Sequence, residues 1–133
     1  MVAQKKAASK KAAPSTKAVW QKLFIKGGTV ALMSAPSGYE KLFEGSPAKV
    51  TTRGAGPGDT VVLFAKDLDH LQKAFPTAVR RLGQSATMWV AYRKGSKELH
   101  RDTLWKAARE HGYTGVSLVA IDDVWSAMRL KEV

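Results

Sequence analysis

Apolar residues fall in blocks whose period changes along the chain, and those changes predict the order of elements. Val19, Trp20, Leu23, Phe24 and Ile25 recur at near-helical spacing until Gly27-Gly28 stops the turn. Residues 29–34 then read as a strand. Residues 37–43 read as a helix that packs Tyr39, Leu42 and Phe43 inward, ended by Gly45-Ser46-Pro47. A short strand over 49–52 leads into Arg53-Gly54-Ala55-Gly56-Pro57-Gly58, a loop by its glycines and proline. Thr60-Val61-Val62-Leu63-Phe64-Ala65 is apolar at both parities, as a central parallel strand covered on both faces must be. Asp67 then caps a helix in which Leu68, Leu71, Phe75, Val79 and Leu82 recur every three or four residues. Pro76 inside that pattern lacks a backbone donor and predicts a kink or a break.

The remaining third is as regular. Residues 86–92 form a buried strand centred on Met88, Trp89 and Val90 and end in the basic loop that starts at Arg93 and Lys94. Asp102 caps a further helix with Leu104, Ala107, Ala108 and His111 on one face and Gly112 as its stop. Strands over 116–121 and 125–130 are joined by Asp122-Asp123-Val124, too short a link for anything but an antiparallel hairpin. With right-handed crossovers, these elements make an α/β fold: a small Rossmann-like, mostly parallel sheet of six strands. The predicted order is 2-1-3-4-6-5 with the sixth strand antiparallel, a methyltransferase-like sheet truncated by one βα unit. The 133 residues suit one domain over 18–133, preceded by a tail over 1–17.

Charge separates that tail from the rest. The chain carries +11, and seven lysines with no acid fall within residues 1–26. Residues 1–17 hold no large apolar group after Val2, so nothing offsets the entropy of ordering them, and they are expected to be disordered in isolation. Lys5, Lys6, Lys10, Lys11 and Lys17 are the candidate contacts to nucleic acid or another polyanion, through counterion release. The absence of cysteine excludes disulfides and thiolate chemistry. No apolar run reaches the ~20 residues a membrane helix needs, so no membrane contact and a cytoplasmic location are expected. The edge strands leave a protein partner or a homo-oligomer open.

Several short motifs lie within this framework: Val30-Ala31-Leu32 with Ala35-Pro36-x-Gly38-Tyr39, then Val61-Val62-Leu63-Phe64, Trp89-Val90, Lys94, Gly112, and Ala120-x-Asp122-x-x-Trp125-Ser126. Over about residues 20–131 the chain resembles the uncharacterised bacterial family catalogued as domain of unknown function 3052. Tyr92-Arg93-Lys94 stands where that family usually reads Trp-Pro-Lys, and Ser34 where it usually has Asn. The resemblance implies a compact α/β domain and supplies no catalytic residue.

Ligands of open α/β sheets bind beyond the carboxyl ends of the strands, near the switch in strand order. That edge places Ser34, Ser37 and Gly38 after the first strand, Asp67 after the third, Arg93 and Lys94 after the fourth and Asp122 after the fifth. Each also has a structural explanation: Ser37 and Asp67 as caps, Gly38 as a turn former, Asp122 as hairpin chemistry. An S-adenosylmethionine site would want a glycine-rich turn after the first strand and an acid after the second. Pro36 stands in that turn and Thr52-Arg53 follow the second strand, so methyltransferase activity is disfavoured and no cofactor is expected. The glycines of 53–58 precede a strand and not a helix, which argues against a phosphate loop. No hydrolase or zinc motif is present, no metal site is expected, and a Ser37, His70, Asp67 triad has no support in its spacing. His111 reads as a packed core edge, His70 and His100 as solvent-facing, Trp89 and Trp125 as core, and Trp105 as an exposed aromatic. The resulting expectation is a non-catalytic cytoplasmic protein with a polycationic arm. The alternatives are nucleic-acid association through that arm, or small-anion binding or catalysis at the edge after the first and fourth strands.

Overall fold

A computed structural model describes residues 19–25, 27–51, 59–83 and 86–133. The tail lysines Lys5, Lys6, Lys10, Lys11 and Lys17, and the loop 53–58, lie outside the described residues. The described elements are, in order, α1 (Val19–Lys22), β1 (Thr29–Met33), a 3-10 turn (Tyr39–Phe43), β2 (Lys49–Thr51), β3 (Thr60–Ala65), α2 (Leu68–Arg81), β4 (Thr87–Arg93), α3 (Arg101–Glu110), β5 (Tyr113–Ala120) and β6 (Trp125–Glu132). The six strands form one sheet in the order β2-β1-β3-β4-β6-β5. Strands β2, β1, β3 and β4 run parallel, and β6 lies antiparallel between β4 and β5. The Rossmann-like sheet predicted from the sequence is therefore the one observed.

Strand β3 is buried at all six positions, as its unbroken apolar run requires. Its alternate residues feed two cores. Val61 and Leu63 pack with Leu71, Phe75, Leu104 and Ala108 of the helices α2 and α3. Val62 and Phe64 pack on the other face with Leu23, Ile25 and Phe43, from the segment after α1 and from the 3-10 turn. Two helices thus cover one face, while the other is covered by short pieces of chain.

Three local expectations change. The helix expected over 37–43 is a single 3-10 turn, because Gly38 is left-handed at φ +87 and Glu44 is extended. A helix of that length contributes no dipole of consequence. Pro76 does not break α2, which runs unbroken from Leu68 to Arg81. Pro76 is on the exposed side, so water can serve the carbonyl left without a donor, while Leu71, Phe75 and Ala78 keep the buried stripe continuous. Asp102 lies inside α3. The N-cap is His100, whose backbone N–H donates to Thr103 Oγ1 at 2.9 Å. Asp67 does cap α2, accepting from the His70 N–H at 2.7 Å. Among the described residues no helix is long and apolar enough to cross a membrane.

Candidate functional site

The order of strands locates the site before any side chain is considered. The chain leaves β1 to one side for β2 and returns on the other side as β3, so β1 marks the switch point of the sheet. Two crevices open there at the carboxyl ends of the strands. One, of about 710 Å³, is lined by Ser34, Pro36, Tyr39, His70, Arg93 and Trp125, among others. The second, of about 550 Å³, lies toward β2 and is lined by Leu32, Ser34, Ala35, Glu40, Val50 and Thr51. They share Ser34 and Ala35, so they meet over the turn that follows β1.

Ser34 sits at φ +60, a left-handed conformation that few non-glycine residues adopt. Its Oγ lies 3.3 Å from His70 Nε2. The other ring nitrogen, Nδ1, accepts from the Lys66 backbone N–H at 3.1 Å, which leaves the proton of a neutral ring on Nε2. His70 is therefore the donor and Ser34 the acceptor. That tautomer cannot take a proton from Ser34, and a serine nucleophile activated by His70 is excluded in this arrangement. It leaves the Ser34 hydroxyl proton available to a ligand.

The far wall is aromatic. Tyr39, Phe64 and Trp125 meet edge to face, with ring centroids 5.1 to 6.4 Å apart. The Tyr39 hydroxyl donates to Asp122 Oδ2 at 2.8 Å, while Asp122 Oδ1 accepts from the Val124 and Trp125 N–H groups, each at 2.8 Å. Burial first, and the Asp122 carboxylate second, hold the Tyr39 phenol above its ordinary value. Asp122 thus closes the hairpin turn and anchors Tyr39.

The candidate residues named from the sequence divide on these contacts. Ser34 and Arg93 line the larger crevice. Asp67 is engaged in its cap, and Asp122 in the hairpin and Tyr39. Ser37 and Gly38 shape the turn without lining either crevice, and Lys94 lies in the exposed turn after β4, its backbone N–H on the Val124 carbonyl at 2.7 Å. His70, expected to face solvent, is half-buried and belongs to the site, as does Glu40, which the sequence did not single out. His100 is likewise half-buried, at the start of α3. His111 packs as expected, stacked on Phe75 at 4.5 Å and 3.0 Å from Gln72 Oε1.

No family model and no curated protein matches the chain. Solved structures do. The chain is similar to the B. subtilis tRNA methyltransferase TrmK at 7% identity and a TM-score of 0.57, covering 90% of this chain and 67% of that one. A ribosomal protein L11 methylase from Lactobacillus delbrueckii subsp. bulgaricus shares 11% identity at a TM-score of 0.56, over 86% of this chain and 74% of the other. DhpI, solved as a complex with SAH, shares 12% identity at a TM-score of 0.54, over 86% and 82%. At such identities the likeness establishes the fold. It also removes the ground for expecting a non-catalytic protein with methyl transfer disfavoured, since this sheet is shared with enzymes of that chemistry.

The turn after β1 has left-handed backbone at two positions and a carboxylate beside it. Ser34 and Gly38 are both left-handed, and a Cβ built on Gly38 would meet nothing within 4 Å, although Gly38 lines neither crevice. Residues 52–58 contain no acid, but Glu40 brings a carboxylate to the crevice on the β2 side.

Proposed function

We propose that this protein is a small methyltransferase-type domain that binds an S-adenosyl ligand across the turn after β1. The observation that carries this reading is the pair of crevices meeting at Ser34 and Ala35 on the switch point of a methyltransferase-like sheet. An elongated ligand with an aromatic base, a hydroxyl-bearing sugar and an amino-acid tail needs two connected compartments of this kind. Glu40 would accept from the sugar hydroxyls. Ser34, held by His70, would donate to the ligand, and Lys66 and Arg93 in the larger crevice suit its carboxylate. When bound, the ligand supplies a methyl group on a positively charged sulfur, open to attack by an acceptor. The charge of the chain, +11 with lysines gathered in the first 26 residues, supports a polyanionic acceptor recruited by the arm.

Calorimetric titration of the full chain with S-adenosylmethionine and with S-adenosylhomocysteine tests the reading. Saturable binding of at least one is expected, weakened about ten-fold by Glu40→Gln through loss of a charge-assisted hydrogen bond. Absence of heat with both, together with an unchanged melting temperature, would rule it out.

A further inference from the structure

Among the described residues, three buried side-chain polar atoms have no hydrogen-bond partner: Trp89 Nε1, Arg129 Nε and Ser117 Oγ. They are not scattered. Trp89 of β4 pairs with Arg129 of β6, and Arg129 pairs with Ser117 of β5, so the three side chains form one row across the sheet. Adjacent members of such a row stand about 5 Å apart on the same face. That face is the one covered by short pieces of chain, since Trp89 belongs to the core that Leu23 and Ile25 complete.

The register that makes the row is itself irregular. Gly115 pairs with Leu130 and Ser117 with Arg129, so Val116 is an extra residue, a bulge in β5. Without it a valine would stand opposite Arg129. The bulge exchanges that valine for a serine and leaves Val116 43% exposed. Phe24, 61% exposed and left-handed at φ +60, lies with its ring 5.9 Å from the Arg129 guanidinium. A bulky residue in that conformation is costly and needs support from its surroundings.

We propose that this row is an oxyanion-binding seat, distinct from the crevices at the carboxyl ends of the strands, that takes a carboxylate or phosphate group. An indole N–H and a guanidinium N–H can only donate, and a serine hydroxyl can donate, so the row offers three donors side by side and asks for an acceptor. Trp89 is wholly buried, which makes its unmet donor costly unless a partner arrives. Arg129 supplies the charge, and its guanidinium lies beside the exposed ring of Phe24.

The indole N–H resonance of Trp89, assigned by its loss in Trp89→Phe, is followed by ¹H–¹⁵N NMR during titration with inorganic phosphate and with sodium acetate at constant ionic strength. A saturable shift with at least one anion is expected, greatly reduced in Ser117→Ala and in Arg129→Met. At one hundred times the dissociation constant, the unfolding equilibrium should move by about 100-fold in the wild type and much less in either variant. A resonance that does not move, or moves equally in wild type and both variants, would overturn the proposal and assign the row to water.

Discussion

Tyr39 shows how much one side chain does in this molecule. Its ring joins Phe64 and Trp125, its hydroxyl holds Asp122, and Asp122 in turn closes the hairpin between β5 and β6. Burial and the neighbouring carboxylate raise its pKa above 10.0, and burial raises Tyr92 and Tyr113 likewise. The folded state therefore keeps these protons after the unfolded chain has begun to lose them. Their contribution to stability is complete below pH 10 and is lost as pH rises through the folded values. Resistance to urea is expected to fall above that pH, with a shallower decline in Tyr39→Phe, which should also cost about 1 kcal/mol at pH 7. An unchanged slope in the variant would remove Tyr39 from the account. Gly28 is the second residue whose identity is fixed. It lies at φ +70, and a Cβ there would run into the Asp59 side chain, so Gly28→Ala should cost about 1–2 kcal/mol in the same measurement. The pattern of glycines marks such turns in the sequence. It does not reveal that His70 reaches Ser34 across 36 positions, because that contact depends on how α2 leaves β3.

At the level of elements, strands were the legible part. The apolar run of β3 and the short link before β6 determine most of the sheet order, since burial on both faces and an antiparallel hairpin leave few arrangements. Local signals fared less well where packing competes with them. Pro76 should break a helix by its own chemistry, yet α2 continues because its buried stripe is anchored on the sheet on both sides of the proline. The missing bond to the Gln72 carbonyl still has a cost. Pro76→Ala restores that donor and is expected to raise stability by about 1–3 kcal/mol, read from the urea midpoint at unchanged m-value. No gain would mean that α2 is already distorted to suit the proline. The bulge in β5 was illegible for a different reason: alternation in Gly115-Val116-Ser117-Leu118 does not say which residue is passed over. Gly115 hints at it, because a Cβ there would meet Met128 Sδ at 2.6 Å and Trp105 Cδ1 at 3.1 Å. Gly115→Ala should therefore disturb the packing of α3 on β5.

For the whole molecule, charge and fold are largely separate properties. Described residues from Val19 onward close the two cores, whereas five of the lysines that raise the net charge fall within residues 1–17. Removing residues 1–17 should then leave the melting temperature nearly unchanged while weakening association with RNA. The magnitude follows from counterion release. Five lysines that each neutralise one phosphate of a single strand contribute about −0.7 apiece to the slope of log K against log salt. Fluorescence anisotropy with a labelled single-stranded RNA should show the full chain losing affinity steeply between low and physiological salt, and the truncated chain a slope shallower by about 3 to 4. Equal slopes would place RNA contact on the folded region. In that case Lys66 and Arg93, which line the larger crevice, and the exposed Lys94 next to Arg93 become the cations to substitute.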